Sequence, residues 1–456
     1  MRKVIMVVWS RHMDVGFLRK TFGDRFVEDS AVAALYVHDA SFVEGESNVL
    51  GVVFPETEEE VVELVRWAVK HKVPLFPQGS ATSLSGNATA TARGLVVSFE
   101  RMNKVEVSPA DGVAVVGPGV RIEELNVELA RHGFFFPVDP GSVRSATIGG
   151  AIANGAGGMR GAKYGTIKDW VLGLRVVTGR GDVLKVGCKT FKCRNGYDLV
   201  RLFVGSEGTL GLVTEAVLKL APVPESAVAV LAYYDDVEPL VEDVVRVRTN
   251  RVWPLFAEFL DAPTAAVVGL EERDTLFLGV DVSTGAEERV LRRVQSIVRG
   301  KVASVALGWS EAMKLLEPRR RLYSAQVHLA QRGGGVLVIE DVAVPISKLP
   351  DAVRGLKKLA EKYGVPLLLG GHVGDGNLHP ATWFRKEEGP GKAEKFIKEM
   401  AELVVGLGGT VSAEHGVGTL KKDLIALELG DAVLTYMREL KKVFDPYNIL
   451  NPGKIA

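Results

Sequence analysis

PQGSATSLSGNA, Pro77 to Ala88, follows directly on the apolar run VPLFP. Small and hydroxyl-bearing residues at Gly79, Ser80, Ala81, Thr82 and Ser83 leave backbone N–H groups uncovered and add spare hydroxyl donors. Such a loop after a strand makes a nest suited to an anion. It has neither the G-x-x-x-x-G-K-[ST] spacing of a P-loop nor the G-x-G-x-x-G of a Rossmann turn. Alone, such a string more often means a flexible surface loop.

Two further segments share its character. VDPGSVRSATIGGAIANGAGGMRGAKYG, Val138 to Gly165, places an apolar core between two glycine runs, thin enough for a flat ring to approach. FVGSEGTLGLVTEAVLKL, Phe203 to Leu220, reads as a helix start followed by a strand. Around them the chain alternates strands and helices. TEEEVVELVRWAVKHK predicts a helix capped by Thr57, with acids in its first turn and bases in its last. IEELNVELARHG predicts another helix, and WVLGLRVVTGRGDVLKVG predicts a hairpin turning at Gly-Arg-Gly-Asp.

With 456 residues the chain exceeds one hydrophobic core, so two or three domains are expected. Lys+Arg and Asp+Glu both number 56, which argues against a nucleic-acid partner. The 50 glycines cluster rather than scatter, as expected where backbone packs close to a ligand. The N-terminal apolar run Val4–Trp9 is too short for a secretory signal, and no stretch approaches the ~20 apolar residues of a membrane span. The expectation is a cytoplasmic protein; peripheral membrane association and a homodimer stay compatible with it. Cys188 and Cys193 read as two free thiols in a loop, with a local disulfide as the alternative.

After Pro224 the texture changes to strands (AVAVLAYY, PLFAEFLD, TLFLGVDV, VLVIEDVAVP) alternating with amphipathic helices (VEPLVEDVVRVRT, GAEERVLRRVQSIVRG, LPDAVRGLKKLAEKYG). That pattern predicts a sheet covered by helices on one side. GGHVGDGNLHP, Gly370 to Pro380, then holds two of the chain's eight histidines. A seven-residue offset puts side chains on opposite faces of a continuous strand. Asp375-Gly376 is a hairpin-turn signal, and a reversal there brings His372 and His379 together as a cross-strand pair able to share a metal. Glu414 in SAEHGVG offers a third ligand, and His415 a general base.

In their order and spacing, the three glycine-rich segments resemble the FAD-binding domain of the vanillyl-alcohol-oxidase superfamily. The resemblance implies that Pro77, Gly79, Ser80, Ala81, Thr82, Ser83 and Leu84 hold the FAD pyrophosphate. It places Pro140, Gly141, Ser142, Thr147, Gly149, Gly150 and Asn154 along the isoalloxazine ring, and Gly205, Glu207, Gly208, Thr209 and Val213 toward the adenine end. Members often carry GGGT where this chain has GSAT. No histidine lies in the first two segments, so the FAD is expected to be non-covalent.

HVGDGNLH, SAEHGVG and the closing FDPYNILNPGKI resemble the C-terminal half of the FAD-linked 2-hydroxyacid dehydrogenases, a group that includes glycolate oxidase flavoprotein subunits, D-lactate dehydrogenases (cytochrome) and D-2-hydroxyglutarate dehydrogenases. The implied fold is α+β: a two-part FAD-binding domain over residues 1–222, a substrate domain with a helix-covered antiparallel sheet over 223–405, and a C-terminal segment over 406–456 packing back on the first domain. The implied site has a divalent metal, expected to be zinc, on His372, His379 and Glu414, with Asn377 on the substrate and His415 as base. Arg319 in EPRRRLYSA, or Arg320 beside it, would bind the substrate carboxylate.

The implied reaction is oxidation of a D-2-hydroxy acid to the 2-oxo acid, with hydride passing to flavin N5. Ile339 stands where 2-hydroxyglutarate enzymes of the group carry a lysine, which favours D-lactate or glycolate over D-2-hydroxyglutarate. An electron acceptor is required: quinone, cytochrome, electron-transfer flavoprotein, iron–sulfur subunit or oxygen. Readings of other classes are a flavin-dependent transferase resembling alkylglycerone-phosphate synthase and a non-catalytic flavin-binding subunit; the His/Glu/His set argues against both.

Overall fold

A computed structural model describes residues 15–385 and 390–455; the N-terminal run Val4–Trp9 lies outside them. The first half contains two larger sheets and a two-stranded one formed by Phe134–Phe135 and Ala221–Pro222. In one, Gly51–Val53 and Leu75–Gln78 both run parallel to Leu95–Ser98, which lies between them. The connection between the first two is the helix Glu58–His71, whose start is fixed by Thr57 Oγ1 accepting from the Glu60 N–H at 3.2 Å. Val61, Leu64, Val65 and Ala68 recur at helical spacing and are fully buried against the sheet. Glu58, on the same helix, accepts from Arg175 Nε at 2.9 Å and from the Thr214 hydroxyl at 2.7 Å, tying the helix to the second sheet.

That second sheet is antiparallel, in the order Val105–Ser108, Val113–Val116, Leu212–Lys219, Val171–Val177 and Val183–Gly187. The last two strands form the expected hairpin, closed where the Thr178 N–H donates to the Asp182 carbonyl at 3.0 Å. Just beyond it the thiols expected to be free are instead joined: Cys188 and Cys193 form a disulfide. The exposed loop reverses within five residues and brings their Cα atoms to 6.0 Å, inside the range a bridge spans.

The second half is built on an antiparallel sheet. Its strands run in the order Lys301–Leu307, Ser226–Tyr234, Asp274–Val282, Phe256–Leu260, Leu368–His372, Asn377–Arg385 and Gly335–Ile339, with Val342–Ala343 also paired to Asn377–Arg385. Helices Val237–Thr249, Glu287–Ile297, Leu349–Tyr363 and Pro390–Gly406 cover one face. The expectation of one covered face needs correction. Every residue of Ser226–Tyr234 is buried, because the second face packs on Ala312, Leu316 and Leu322 of a helical segment and on Met159 of the flavin half. The edge strand Lys301–Leu307 was not foreseen: it is mostly exposed, so no apolar alternation marks it.

The C-terminal residues return to the first half. The Leu75 N–H donates to the Ile449 carbonyl at 2.7 Å, the Asn451 N–H to the Leu75 carbonyl at 2.8 Å, and Lys454 Nζ to the Thr89 carbonyl at 2.9 Å. Among the described residues no helix is long and apolar enough to cross a membrane.

Candidate active site

A cavity of about 500 Å³ runs between the halves. Its walls include Pro77, Gly79 to Leu84, Pro140, Gly141, Ser142, Thr147, Gly149, Gly150, Asn154, Glu207, Gly208 and Val213 from the first half. Among the described residues, no backbone N–H from Gly79 to Leu84 donates to a protein acceptor, which leaves a run of bare donors facing the cavity. Ala81 adopts a left-handed φ of 51°, as nests of this kind do. The glycines are required by close approach: a Cβ on Gly208 would sit 2.6 Å from the Pro77 ring, and one on Gly149 2.5 Å from Pro118 Cβ. This donor-lined loop fits a dinucleotide cofactor's pyrophosphate. Gly205 and Thr209 do not reach it. They border a second cavity of about 160 Å³ under the C-terminal helix Ile425–Phe444. Glu207 lines the main cavity, but its carboxylate is bonded to the Val417 N–H at 2.6 Å and the Gly418 N–H at 2.9 Å. Burial raises this carboxyl to about 7.

The cavity ends at the histidines. Leu368–His372 and Asn377–Arg385 form the expected hairpin, with His372 opposite Asn377 and His379 opposite Gly370. The histidines are therefore diagonal neighbours on one face, not directly opposed. Their rings lie edge to face, 5.0 Å between centroids. Nε2 of each lies 3.3 Å from the same atom, Oε1 of Glu414. His372 Nδ1 is 2.7 Å from Glu258 Oε1, so an acid on the neighbouring strand orients that ring. Glu414 fits in because Gly157 of the flavin half has no side chain: a Cβ there would lie 2.5 Å from Oε2.

Charge follows from this packing. Burial opposes the charge on His372, yet Glu258 and Glu414 hold its pKa well above the ordinary value. Burial alone would raise Glu414, but His372 and His379 hold it well below the carboxylate range. Two imidazole nitrogens and a carboxylate oxygen meeting at one point fit a divalent cation. Asp341, His379, Glu414 and His415 also bring ligand-type atoms within 4.8 Å of one another. Asp341 is already committed, however. Its Oδ2 accepts from the N–H groups of Ala413, Glu414 and His415 at 2.8, 2.7 and 2.8 Å, and its Oδ1 from Asn377 Nδ2 at 2.8 Å. Asp341 is the anchor of the 412–415 loop, and His372 completes the better cation set.

Arg319 lines the cavity and donates from Nε to Glu258 Oε2 at 3.0 Å, leaving its terminal nitrogens without a protein partner among the described residues. Arg320 also lines it, but donates to Asp139 at 3.1 Å. His415 stacks on His379 at 5.0 Å and 12°, and its Nδ1 is buried without a partner among the described residues. Burial lowers its pKa to about 4.

One expectation fails on position. Asn377 does not line the cavity; its amide donates to Asp341 and to the Val342 carbonyl at 2.9 Å, since the short strand Val342–Ala343 pairs alongside it. Two residues went unnoticed in the sequence, Glu258 and Asp341. Their signal was present: a lone acid inside the apolar strand PLFAEFLD, and the acid pair of VLVIEDVAVP.

Comparison with known proteins agrees with this geometry. Residues 49–187 match the family model for the FAD binding domain, and residues 223–455 match FAD linked oxidases, C-terminal domain. The chain is 36% identical to glycolate oxidase subunit GlcD of Bacillus subtilis, over 95% of this chain and 94% of that protein. It is 36% identical to a D-lactate dehydrogenase of Archaeoglobus fulgidus, covering 89% and 91%, and 33% identical to a D-2-hydroxyglutarate dehydrogenase of Stutzerimonas stutzeri, covering 89% and 90%. Among solved structures, p-cresol methylhydroxylase superposes with a TM-score of 0.80 at 18% identity, covering 97% of this chain and 96% of that one. Alkyldihydroxyacetonephosphate synthase superposes with a TM-score of 0.76 at 20% identity, covering 96% and 84%. These two share the two-domain FAD-binding fold. With a donor-lined cradle in one half, a His/Glu centre in the other and matches to both family models, this chain belongs to the FAD-linked oxidases and is an FAD-dependent oxidoreductase.

Proposed function

We propose that this enzyme oxidises a D-2-hydroxy acid, with D-lactate or glycolate favoured, to the 2-oxo acid. The carrying observation is that Arg319, Glu414 and three histidines converge at one end of the glycine-lined cavity. Non-covalent FAD, held by Gly79 to Leu84 and the 140–154 segment, would supply the two-electron acceptor. A divalent cation on His372, His379 and Glu414, with zinc the match to this donor set, would supply a Lewis acid.

The chain's own residues do the rest. Arg319 binds the substrate carboxylate through its free terminal nitrogens, while Glu258 fixes the guanidinium plane. His415, neutral near pH 7 because burial lowers its pKa, takes the hydroxyl proton on its ring. The two halves enclose the reacting carbon and exclude water. Ile339, on the cavity wall, offers nothing to a second carboxylate. Arg320 is 3.1 Å from Asp139, a carboxylate it shares with Arg160, so the preference for monocarboxylates rests on Ile339. Relatives named for D-lactate and glycolate support the same class.

Anaerobic titration with D- and L-2-hydroxy acids, watching flavin absorbance, tests the proposal. Bleaching by D-lactate or glycolate is expected; no bleaching by any acid would overturn it.

A further inference from the structure

The helix Leu322–Arg332 buries three residues spaced by four, Leu322, Gln326 and Ala330. They form one row along the helix. Leu322 packs in an apolar cluster with Phe256 and Leu260, so this row is an ordinary core face in all but its middle position. Gln326 is only 3% exposed. Among the described residues its amide makes no hydrogen bond to protein and is not among the buried side-chain atoms lacking a partner, so it is open to the cavity. The amide lines the main cavity, as does Arg319, seven residues earlier on the preceding short helix Glu317–Arg320.

The facing wall is apolar. Ile339 pairs with Ala381, which sits two residues beyond His379 on the same strand and therefore on the same face of the sheet. A substrate with its carboxylate on Arg319 and its C2 oxygen beside His379 and Glu414 has its C3 substituent left to meet these two walls.

Resting on the function proposed above, we infer that Gln326 is a specificity-determining residue that hydrogen-bonds a neutral polar group on C3 of the 2-hydroxy acid. Among 2-hydroxy acids larger than glycolate and D-lactate, the preferred ones then carry a hydroxyl or amide beyond C2. A neutral group is indicated because Gln326 brings no charge and can both donate and accept a hydrogen bond. Ile339 packs on the aliphatic part of the same substituent.

The test uses flavin-loaded protein and the isosteric pair D-2,3-dihydroxypropanoate and D-2-hydroxybutanoate, which differ only by hydroxyl against methyl. The wild type should show a kcat/KM ratio favouring the dihydroxy acid by about tenfold or more, because a site built to bond a hydroxyl rejects the analogue lacking it. Gln326→Met should collapse that ratio to near one or invert it. Gln326→Leu serves as a second variant with the same expectation. An unchanged ratio in both variants, or a wild-type preference for 2-hydroxybutanoate or 2-hydroxyglutarate, would overturn the inference while leaving the dehydrogenase reading intact. Failure of every 2-hydroxy acid to reduce the wild-type flavin would overturn both.

Discussion

The buried carboxylate of Glu258 accepts a hydrogen bond from Arg319 Nε at 3.0 Å. Its other oxygen lies 2.7 Å from His372 Nδ1, so one acid holds both the Arg319 guanidinium, proposed to bind the substrate carboxylate, and the His372 imidazole, proposed to bind the cation. Glu258→Gln keeps the size but loses an acceptor: its amide nitrogen cannot accept from a ring N–H. Divalent-cation affinity is expected to fall about 10–100-fold, as for other residues that orient metal ligands. Titration of metal-stripped protein with Zn²⁺ checks this. Unchanged affinity would mean His372 is not oriented through Glu258.

His415→Asn should lower turnover by about 10²–10⁴-fold. Flavin absorbance and metal content should stay at wild-type levels, because His415 belongs to neither holding set. A variant that retains full turnover would remove His415 from the role of base.

Asn377→Ala separates two roles. A residue touching substrate would change KM alone. Bonded to Asp341 and Val342, Asn377 should instead lower thermal stability and weaken cation binding, because Asp341 Oδ1 loses the amide that donates to it. A pure KM effect would restore Asn377 to the substrate.

Glu207 makes a pH prediction. Its folded pKa is raised to about 7 by burial, above the ~4.3 of a free glutamate. Between those values the folded state holds a proton that the unfolded state has released. The stabilising contribution is therefore fully present below pH ~4.3 and is lost as pH rises toward 7. Glu207→Gln cannot titrate. The Tm difference, wild type minus variant, should decline from pH 5 to 7 and flatten above. A difference independent of pH would show that Glu207 is ionised throughout.

Much of this site could be read along the chain, and the remainder has a physical reason for hiding. The helix after Thr57 announced itself by a cap, an acid turn and an apolar row, all local signals. The hairpin at Asp375-Gly376 was equally local, and it brought His372 to His379 as the turn chemistry required. Register was beyond reach: a four-residue connection between the strands makes the pair diagonal rather than opposed. Glu258 and Asp341 escaped notice because their partners lie 61 and 114, or 36 and 73, residues away, and no spacing rule reaches that far. Asn377 was misjudged for a related reason. Its neighbour is Val342–Ala343, a two-residue strand too short to carry a pattern. The thiols of Cys188 and Cys193 depend on a loop's path, which composition does not encode.

The 412–418 loop has two owners. Asp341 of the second half grips it at Ala413, Glu414 and His415, and Glu207 of the first half grips it at Val417 and Gly418. Neither half could therefore be traded for its counterpart from a distant relative without leaving one end of the loop untied. A chimera joined near residue 222 would fold two sound cores around a dead centre, so natural exchange of either half should be rare unless both carboxylates travel with it.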